Sequence, residues 1–386
     1  MIVSHIRLKN WRNFREVDVP LQERQFLIGA NATGKSNFLD VFRFLRDLSK
    51  SDGGGLQAAV RCRGGVSKIR SLAARKDPEI VIDVSLSDPS QETPRWRYVL
   101  GFKQEPRGQR STFLTKEQVY QDGRQLVNRP TKEDGLDDAR LTQTNLEQIN
   151  ENRDFREIAG FFESVTYLHL VPQLLRKQEA SAAPPDPGDP FGLGFLERVA
   201  RTPEATRQKR LRKIENVLKI AVPQLRELQF EREPASGRPH LQALYSHWRP
   251  HAGWQREDQF SDGTLRLIGL FWSLLDGRSM LLLEEPELSL NAEIVAQLAP
   301  LLKKMQRPRR RQILISTHSQ ALLDDRGIDG SEVLVFQPDR EGTSVTVASE
   351  EPTIAALLHS GFSVAEAALP KSAPETVRQL TLFDDE

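Results

Sequence analysis

Gly29-Ala30-Asn31-Ala32-Thr33-Gly34-Lys35-Ser36 fills every fixed position of G-x-x-x-x-G-K-S. The apolar run Phe26-Leu27-Ile28 precedes it, and Asn37-Phe38-Leu39-Asp40-Val41-Phe42-Arg43-Phe44-Leu45 comes after it. The first reads as a strand and the second as a helix with one apolar face. The octapeptide therefore lies between strand and helix, where a phosphate-cradling loop has to lie. Its glycines let backbone N–H groups curl around phosphate oxygens, and the start of a helix adds a favourable dipole. Lys35 can reach the β- and γ-phosphates of a nucleotide, and the Ser36 hydroxyl can ligate Mg²⁺.

The frame around this loop is permissive. The chain has 386 residues, enough for two domains or one elaborated domain with a large core. Lys and Arg total 54 against 53 Asp and Glu, so net charge says nothing about partners and local charge must carry any nucleic-acid argument. The single cysteine, Cys62, excludes a disulfide framework and fits a cytoplasmic protein. The N-terminal Met-Ile-Val-Ser-His-Ile-Arg-Leu-Lys alternates like a strand and lacks the apolar core of a signal peptide. No apolar run approaches the ~20 residues that span a bilayer.

Outward from the loop, residues 2–9 and 16–28 read as strands leading into it. The helix after Lys35 should end near Ser51-Asp52-Gly53-Gly54-Gly55. Between 79 and 128 the chain turns strand-rich. It carries the alternating stretches 80–86, 96–102 and 119–126, the last with an Asp122-Gly123 hairpin signal, and reads as an antiparallel sheet. Residues 133–165 are charged and read as mostly helical. Residues 178–192, rich in Pro, Ala, Asp and Gly, read as a mobile loop. A basic helix over roughly 203–220 carries an apolar stripe of Leu211, Ile214, Leu218 and Ala221, and 225–248 reads as another hairpin. From 261 to 337 helices and apolar strands alternate as in a parallel α/β core. Residues 366–378 read as a polar linker. There is no internal repeat and no sustained heptad pattern.

Three further stretches supply chemistry to the loop. Ser279-Met280-Leu281-Leu282-Leu283-Glu284-Glu285-Pro286-Glu287 is an apolar strand ending in two carboxylates. Phosphoryl transfer to water needs an acid that organises a metal and a base that positions the water. Adjacent carboxylates at the end of a buried strand point in different directions and can supply both: Glu284 for Mg²⁺, Glu285 for the water. Ser261-Asp262-Gly263-Thr264-Leu265-Arg266 reads as a capped helix start able to hold a phosphate. Ile313-Leu314-Ile315-Ser316-Thr317-His318 ends a third apolar strand in an imidazole that can donate to a γ-phosphate oxygen.

These four motifs in this order resemble the ABC-type ATPase heads of the RecF/SMC class. The subgroup nearest in appearance is the compact AAA-family ATPases that include the overcoming-lysogenisation-defect proteins. Ile6-Arg7-Leu8-Lys9-Asn10-Trp11-Arg12-Asn13-Phe14 is similar to that class's first strands. The resemblance implies an α/β fold: a P-loop ABC-type ATPase head with an antiparallel β lobe and a mostly helical insertion. It covers about residues 1–128 and 255–337 and does not reach the middle of the chain; the chain is expected to divide into an N-terminal lobe (1–132), an insertion (133–250), a C-terminal lobe (251–365) and a flexible tail (366–386). The resemblance implies an ATPase using ATP and Mg²⁺. Gly29, Asn31, Ala32, Thr33, Gly34, Lys35, Ser36 and Asn37 would hold ATP, and Ser36 and Glu284 the metal. Glu285, His318 and Lys35 would be catalytic, with His318 as the switch histidine. Such heads work as pairs, so Ser261 and Gly263 would touch ATP bound to a partner copy. Three positions depart from the class: Glu284 stands where Asp is usual, Leu288-Ser289-Leu290-Asn291 replaces Leu-His-Pro, and no Q-loop glutamine can be placed. The stretch after His318 is too short for a Toprim nuclease plus the strands that close the core, so any nuclease is expected to be a separate protein.

The partners expected are a second copy, DNA, and a separately encoded effector. DNA contact would fall to the basic clusters Arg201, Arg207, Lys209, Arg210, Arg212, Lys213 and Lys303, Lys304, Arg307, Arg309, Arg310, Arg311. The tail residues Gln379, Leu380, Leu382 and Phe383 form Gln-Leu-x-Leu-Phe, which is similar to the pentapeptide by which bacterial proteins bind the replication sliding clamp. The biological role expected is DNA repair or replication maintenance, with anti-phage defence through a separate nuclease or toxin as the alternative.

Overall fold

The computed structural model describes residues 1–89, 93–105, 111–176, 189, 191–247, 253–277, 280–306 and 311–372. In chain order its strands are β1 (Ile2–Trp11), β2 (Phe14–Pro20), β3 (Arg24–Gly29), β4 (Ile80–Ser87), β5 (Trp96–Gln104), β6 (Thr112–Gln121) and β7 (Arg124–Arg129). Next come β8 (Thr166–Leu168), β9 (Leu225–Arg232), β10 (Pro239–Tyr245), β11 (Trp254–Arg256), β12 (Leu281–Glu284), β13 (Ile313–Ser316), β14 (Val333–Asp339) and β15 (Gly342–Val347).

The central sheet runs β15-β14-β3-β13-β12-β8, and every pairing except β14 with β15 is parallel. Its strands read as continuous apolar runs because both faces are covered. Leu27, Leu282 and Leu314 point into one core, while Phe26, Ile28, Leu281, Leu283, Ile313 and Ile315 point into the other. Period-two alternation thus survives inside sequences with no polar face. Parallel pairing also fixes the site: β3, β13 and β12 are neighbours, so the segments leaving their carboxyl ends all emerge at the same edge.

The first core lies between the central sheet and the antiparallel sheet β2-β1-β4-β5-β6-β7. The helix Lys35–Ser49 fills it with Phe38, Phe42 and Phe44, all fully buried. Phe44 meets Trp11 edge-on and stacks on Phe102, with ring centroids 5.3 and 5.4 Å apart. Asp122 and Gly123 make the β6–β7 turn in the left-handed region, at φ of 48° and 81°, as Asp-Gly hairpins do. On the second core lie a three-stranded sheet, β11-β10-β9, and the helices Phe195–Arg201, Glu204–Ala221 and Asp262–Leu275.

Four expectations need correction. The stretch 16–28 is two strands in different sheets, β2 and β3, separated at Leu21 to Glu23. Residues 133–165 are mostly turns, and their α-helical content is Arg156–Glu163. The insertion is not separate from the ATPase core, since its β8 pairs with β12 and completes the central sheet. The proposed linker begins as a helix, Val364–Ser372, with Pro370 inside it. The expected loop at 178–192 and the motif 379–383 fall wholly or mainly outside the described residues.

Candidate functional site

The phosphate loop is held by backbone conformations that few residues accept. Ala32 and Gly34 have φ of 64° and 95°, in the left-handed region where a side chain costs free energy. A Cβ on Gly34 would also lie 2.2 Å from the Asn13 amide. Asn13 braces the loop from below: its Nδ2 donates to Thr33 O and to Thr343 Oγ1 at 2.8 Å, and its Oδ1 accepts from Asn37 Nδ2 at 2.9 Å. No side chain caps the helix Lys35–Ser49 at Gly34. Its first N–H groups and its dipole therefore face the loop interior, the arrangement that takes a phosphate. Lys35 Nζ donates to the carbonyls of Gly29 and Ala30 at 2.9 Å. Burial lowers its pKa to about 8, against the pull of Glu285 and Glu284. Asn31 and Ala32 are exposed at the crest. Thr33 and Asn37 turn their side chains into the fold: Thr33 Oγ1 donates to Ala30 O and Asn37 bonds Asn13, so neither side chain points at the cradle.

Glu284 ends β12 beside this loop. The Ser36 hydroxyl donates to one of its carboxylate oxygens and the Tyr167 hydroxyl to the other. Tyr167 comes from β8, register-paired with Leu282. Its ring lies under the Arg43 guanidinium at 4.4 Å, and burial, with the Glu284 charge as the second cause, holds its phenol protonated far above the ordinary range. Sequence reading missed Tyr167 because nothing local marks it; its role comes from strand pairing across 117 positions.

Glu285 is in the left-handed region at φ 44°, a strained conformation for a carboxylate residue. Its N–H donates to Ser316 O at 3.0 Å, and its carboxylate lies 3.7 Å from His318 Nε2. Burial first, and the Lys35 charge second, hold the His318 pKa below its usual value, so the imidazole is neutral at neutral pH. Glu287 anchors this corner. One oxygen accepts from Thr317 Oγ1 at 2.5 Å and from His318 N at 3.2 Å, while the other is buried with no partner among the described residues. Burial pushes that carboxyl up.

Ser261 caps the helix Asp262–Leu275 by accepting from Thr264 N at 3.2 Å, as its sequence suggests. Asp262 pairs with Arg176 at 2.5 Å. No hydrogen bond or ion pair among the described residues joins Ser261 or Gly263 to residues 29–37. A Cβ on Gly263 would instead lie 2.8 Å from the Ser289 carbonyl, so this helix start is packed directly on the turn after Glu285. Arg266, one turn on, has a buried Nε without a partner among the described residues. The structure thus gathers Lys35, Ser36, Glu284, Glu285 and His318 at one sheet edge, and sets Ser261 and Gly263 against the turn after Glu285 with no direct bond to the phosphate loop among the described residues. Of the basic clusters, Arg311 is 2% exposed and donates to Ser273 O and Asp276 O, so it is a packing residue rather than a DNA contact. Arg307, Arg309 and Arg310 lie outside the described residues.

A family model described as "AAA domain, putative AbiEii toxin, Type IV TA system" matches residues 26–324. Among characterised proteins, the Endonuclease GajA of Bacillus cereus (strain VD045) is 45% identical over 47 residues, which is 12% of this chain and 8% of that protein. Among solved structures, an SmcHead bound to the C-winged helix domain of ScpA superposes with a TM-score of 0.56. Its identity is 14%, and the match covers 90% of this chain and 98% of that one. A Pyrococcus furiosus Smc head domain with an extended coiled coil, bound to the C-terminal domain of ScpA, gives 0.52 at 14% identity, covering 93% and 99%. At such identities the likeness is one of fold. Among the described residues no helix is long and apolar enough to cross a membrane.

Proposed function

The chain belongs to this AAA domain family, with the fold of a RecF/SMC-like ABC-type ATPase, and on that premise we propose that it binds and hydrolyses ATP. The observation that carries the proposal is the Ser36–Glu284 pair at the mouth of the uncapped loop, with Glu285 and His318 3.7 Å apart beside it. A hydroxyl and a carboxylate oxygen facing one another are the hard donors that Mg²⁺ takes, so Ser36 and Glu284 would hold it, with Tyr167 fixing the carboxylate. When bound, the ion would neutralise charge on the phosphate oxygens.

The rest of the chemistry falls to this chain's residues. Lys35 exchanges two carbonyls for phosphate oxygens. Glu285 orients a water and takes its proton as the water oxygen attacks the γ-phosphorus and the β–γ bridging bond breaks, releasing ADP and phosphate. Neutral His318 donates an N–H to the γ-phosphoryl oxygen. Steady-state hydrolysis tests this. Glu285→Gln should retain ATP binding while turnover falls at least about a hundredfold, and Lys35→Ala should lose tight binding. Near-normal turnover in Glu285→Gln would remove the base assignment.

We further propose that two chains pair around two ATP molecules, the exposed Ser261 face of each closing on the other's loop. Sedimentation of Glu285→Gln with and without ATP tests this, with Ser261→Arg expected to block pairing. For the biological role we propose anti-phage defence through a separately encoded nuclease or toxin, with DNA repair or replication maintenance as the second reading. The family description names a toxin, and the 47-residue match is to an endonuclease. We also propose DNA contact, and clamp binding through residues 379–383, the latter checked by anisotropy with a labelled 371–386 peptide.

A further inference from the structure

A cavity of about 320 Å³ opens between the helices Phe195–Arg201 and Glu204–Ala221, and none of its lining residues belongs to the nucleotide cleft. Its wall at Asp276 caps the carboxyl end of the helix Asp262–Leu275, whose other end carries Ser261. At ~1.5 Å per residue those ends are about 20 Å apart. The volume lies at the lower end of the ~300–1,000 Å³ typical of ligand sites, room for a phosphate with one attached group.

The cavity is lined by three guanidinium groups, from Arg198, Arg201 and Arg210. Two are held in place by aromatic faces. Arg210 lies over Trp272 at 5.2 Å and pairs with Asp276 at 2.9 Å, while Arg198 lies over Phe195 at 5.8 Å. Arg198 is the unusual one. No hydrogen bond or ion pair among the described residues engages its guanidinium, and its Nε is buried without a partner. Burial weighs against its charge more than Asp276 and Asp189 support it. A half-buried cation that has a ring face and distant carboxylates but no ion pair of its own is costly to keep, so it invites an anionic partner. Thr206 adds a hydroxyl on the same wall, while that of Thr202 donates to the Arg198 carbonyl at 3.0 Å. The 18-residue helix Glu204–Ala221 begins there with Pro203 at its cap and no side chain capping its N–H groups, so its positive dipole end lies at the opening, offset in part by the exposed Glu204 of its first turn. Glu197 is the one lining carboxylate without an ion pair among the described residues, and Arg198 and Arg201 outnumber it.

We propose that this cavity is a second anion site, taking one phosphate group from a nucleotide or from the end of a nucleic-acid strand. It is independent of the ATPase reading, and the test is done where the phosphate loop is disabled. In full-length Lys35→Ala protein, inorganic phosphate should bind saturably in equilibrium dialysis. Adding Arg198→Met, which keeps the stem over Phe195 and removes the charge, should weaken that binding roughly ten- to hundredfold. Arg198→Lys should recover part of it. Thermal melting of Arg198→Met without phosphate should be no lower than that of its parent, since an unpaired charge is removed. Arg201→Ala, an exposed change, should weaken binding in the same direction. Competition identifies the source: displacement by AMP alone assigns a free nucleotide, and displacement by a 5′-phosphorylated single-stranded oligonucleotide assigns a strand end. No saturable phosphate binding, or equal binding with and without Arg198→Met and Arg201→Ala, overturns the proposal.

Discussion

Two of the regions in which this molecule buries charge treat it oppositely. Under the antiparallel sheet, Arg129 donates to both oxygens of Asp134, to Glu117, to Asn145 Oδ1 and to the carbonyls of Gln143 and Arg140, all between 2.8 and 3.3 Å. Glu117 in turn accepts from the N–H groups of Asn145 and Leu146 at 2.7 and 3.0 Å. Every capacity is used, and Arg129 holds the Asp134 carboxyl far below its usual range. In the nucleotide cleft, Lys35 rests on two carbonyls, while Glu287 has an oxygen and Arg266 an Nε without a partner among the described residues. The saturated cluster ties the irregular segment 133–152 to the sheet. The unsaturated one keeps its charges available, and on the proposed reading that difference separates a structural use of buried ions from a functional one.

Matched deletions test the contrast most severely. Arg129→Met should cost about 3–5 kcal/mol in denaturant unfolding, because Glu117 is left buried without its cation and Asp134 keeps only Arg140. Arg266→Met should cost less than about 1 kcal/mol by the same measurement, since it removes a group only partly satisfied. Equal losses would erase the distinction between the two regions.

A smaller effect comes from supplying the cleft's missing partner. Mg-ATP at a hundred times its Kd should stabilise the protein by about 2.7 kcal/mol. The shift, read by thermal melting, should vanish in Lys35→Ala and persist in Arg129→Met. Smaller again is the pH response. Lys35 loses its proton near pH 8 in the free protein, and phosphate oxygens attract only its protonated form. ATP affinity should be full below pH 8 and fall as pH rises through it, by up to about tenfold per unit. Lys35→Arg should flatten that profile, measured by titrating a fluorescent ATP analogue. The smallest effect expected is for Tyr167→Phe, which removes one hydrogen bond to Glu284. It should raise the Mg²⁺ concentration needed for half-maximal hydrolysis by about two- to tenfold.

The cleft was the more legible region because its chemistry sits at strand ends, where an apolar run breaks into Gly-x-x-x-x-Gly-Lys-Ser, Glu-Glu or Thr-His. Parallel pairing then gathers those ends without further information. What escaped was everything supplied from across the fold. Tyr167 stands on a three-residue strand with no pattern of its own, and Asn13 acts through three neighbours, one of them at position 343. The helical reading of 133–165 failed for a local reason. Asp134, Asp137, Thr144 and Glu147 turn their side chains onto nearby backbone N–H groups, which competes with helix formation. Charge density there signalled an anchored loop, not a solvated helix face.

The contact between Gly263 and the Ser289 carbonyl has a consequence for timing. Residues 285–290 are a tight turn, with Leu288 N–H donating to Glu285 O and Leu290 N–H to Glu287 O. The absent side chain at position 263 lets the start of the neighbouring helix lie directly on that turn. If two chains pair as proposed, the surface that reads the partner's nucleotide is bolted to the turn that carries this chain's own base. Neither chain could then keep its own clock: a movement of Glu285 as one γ-phosphate leaves would be felt at once by the nucleotide held opposite, and the two turnovers would run in step or in strict alternation rather than at random.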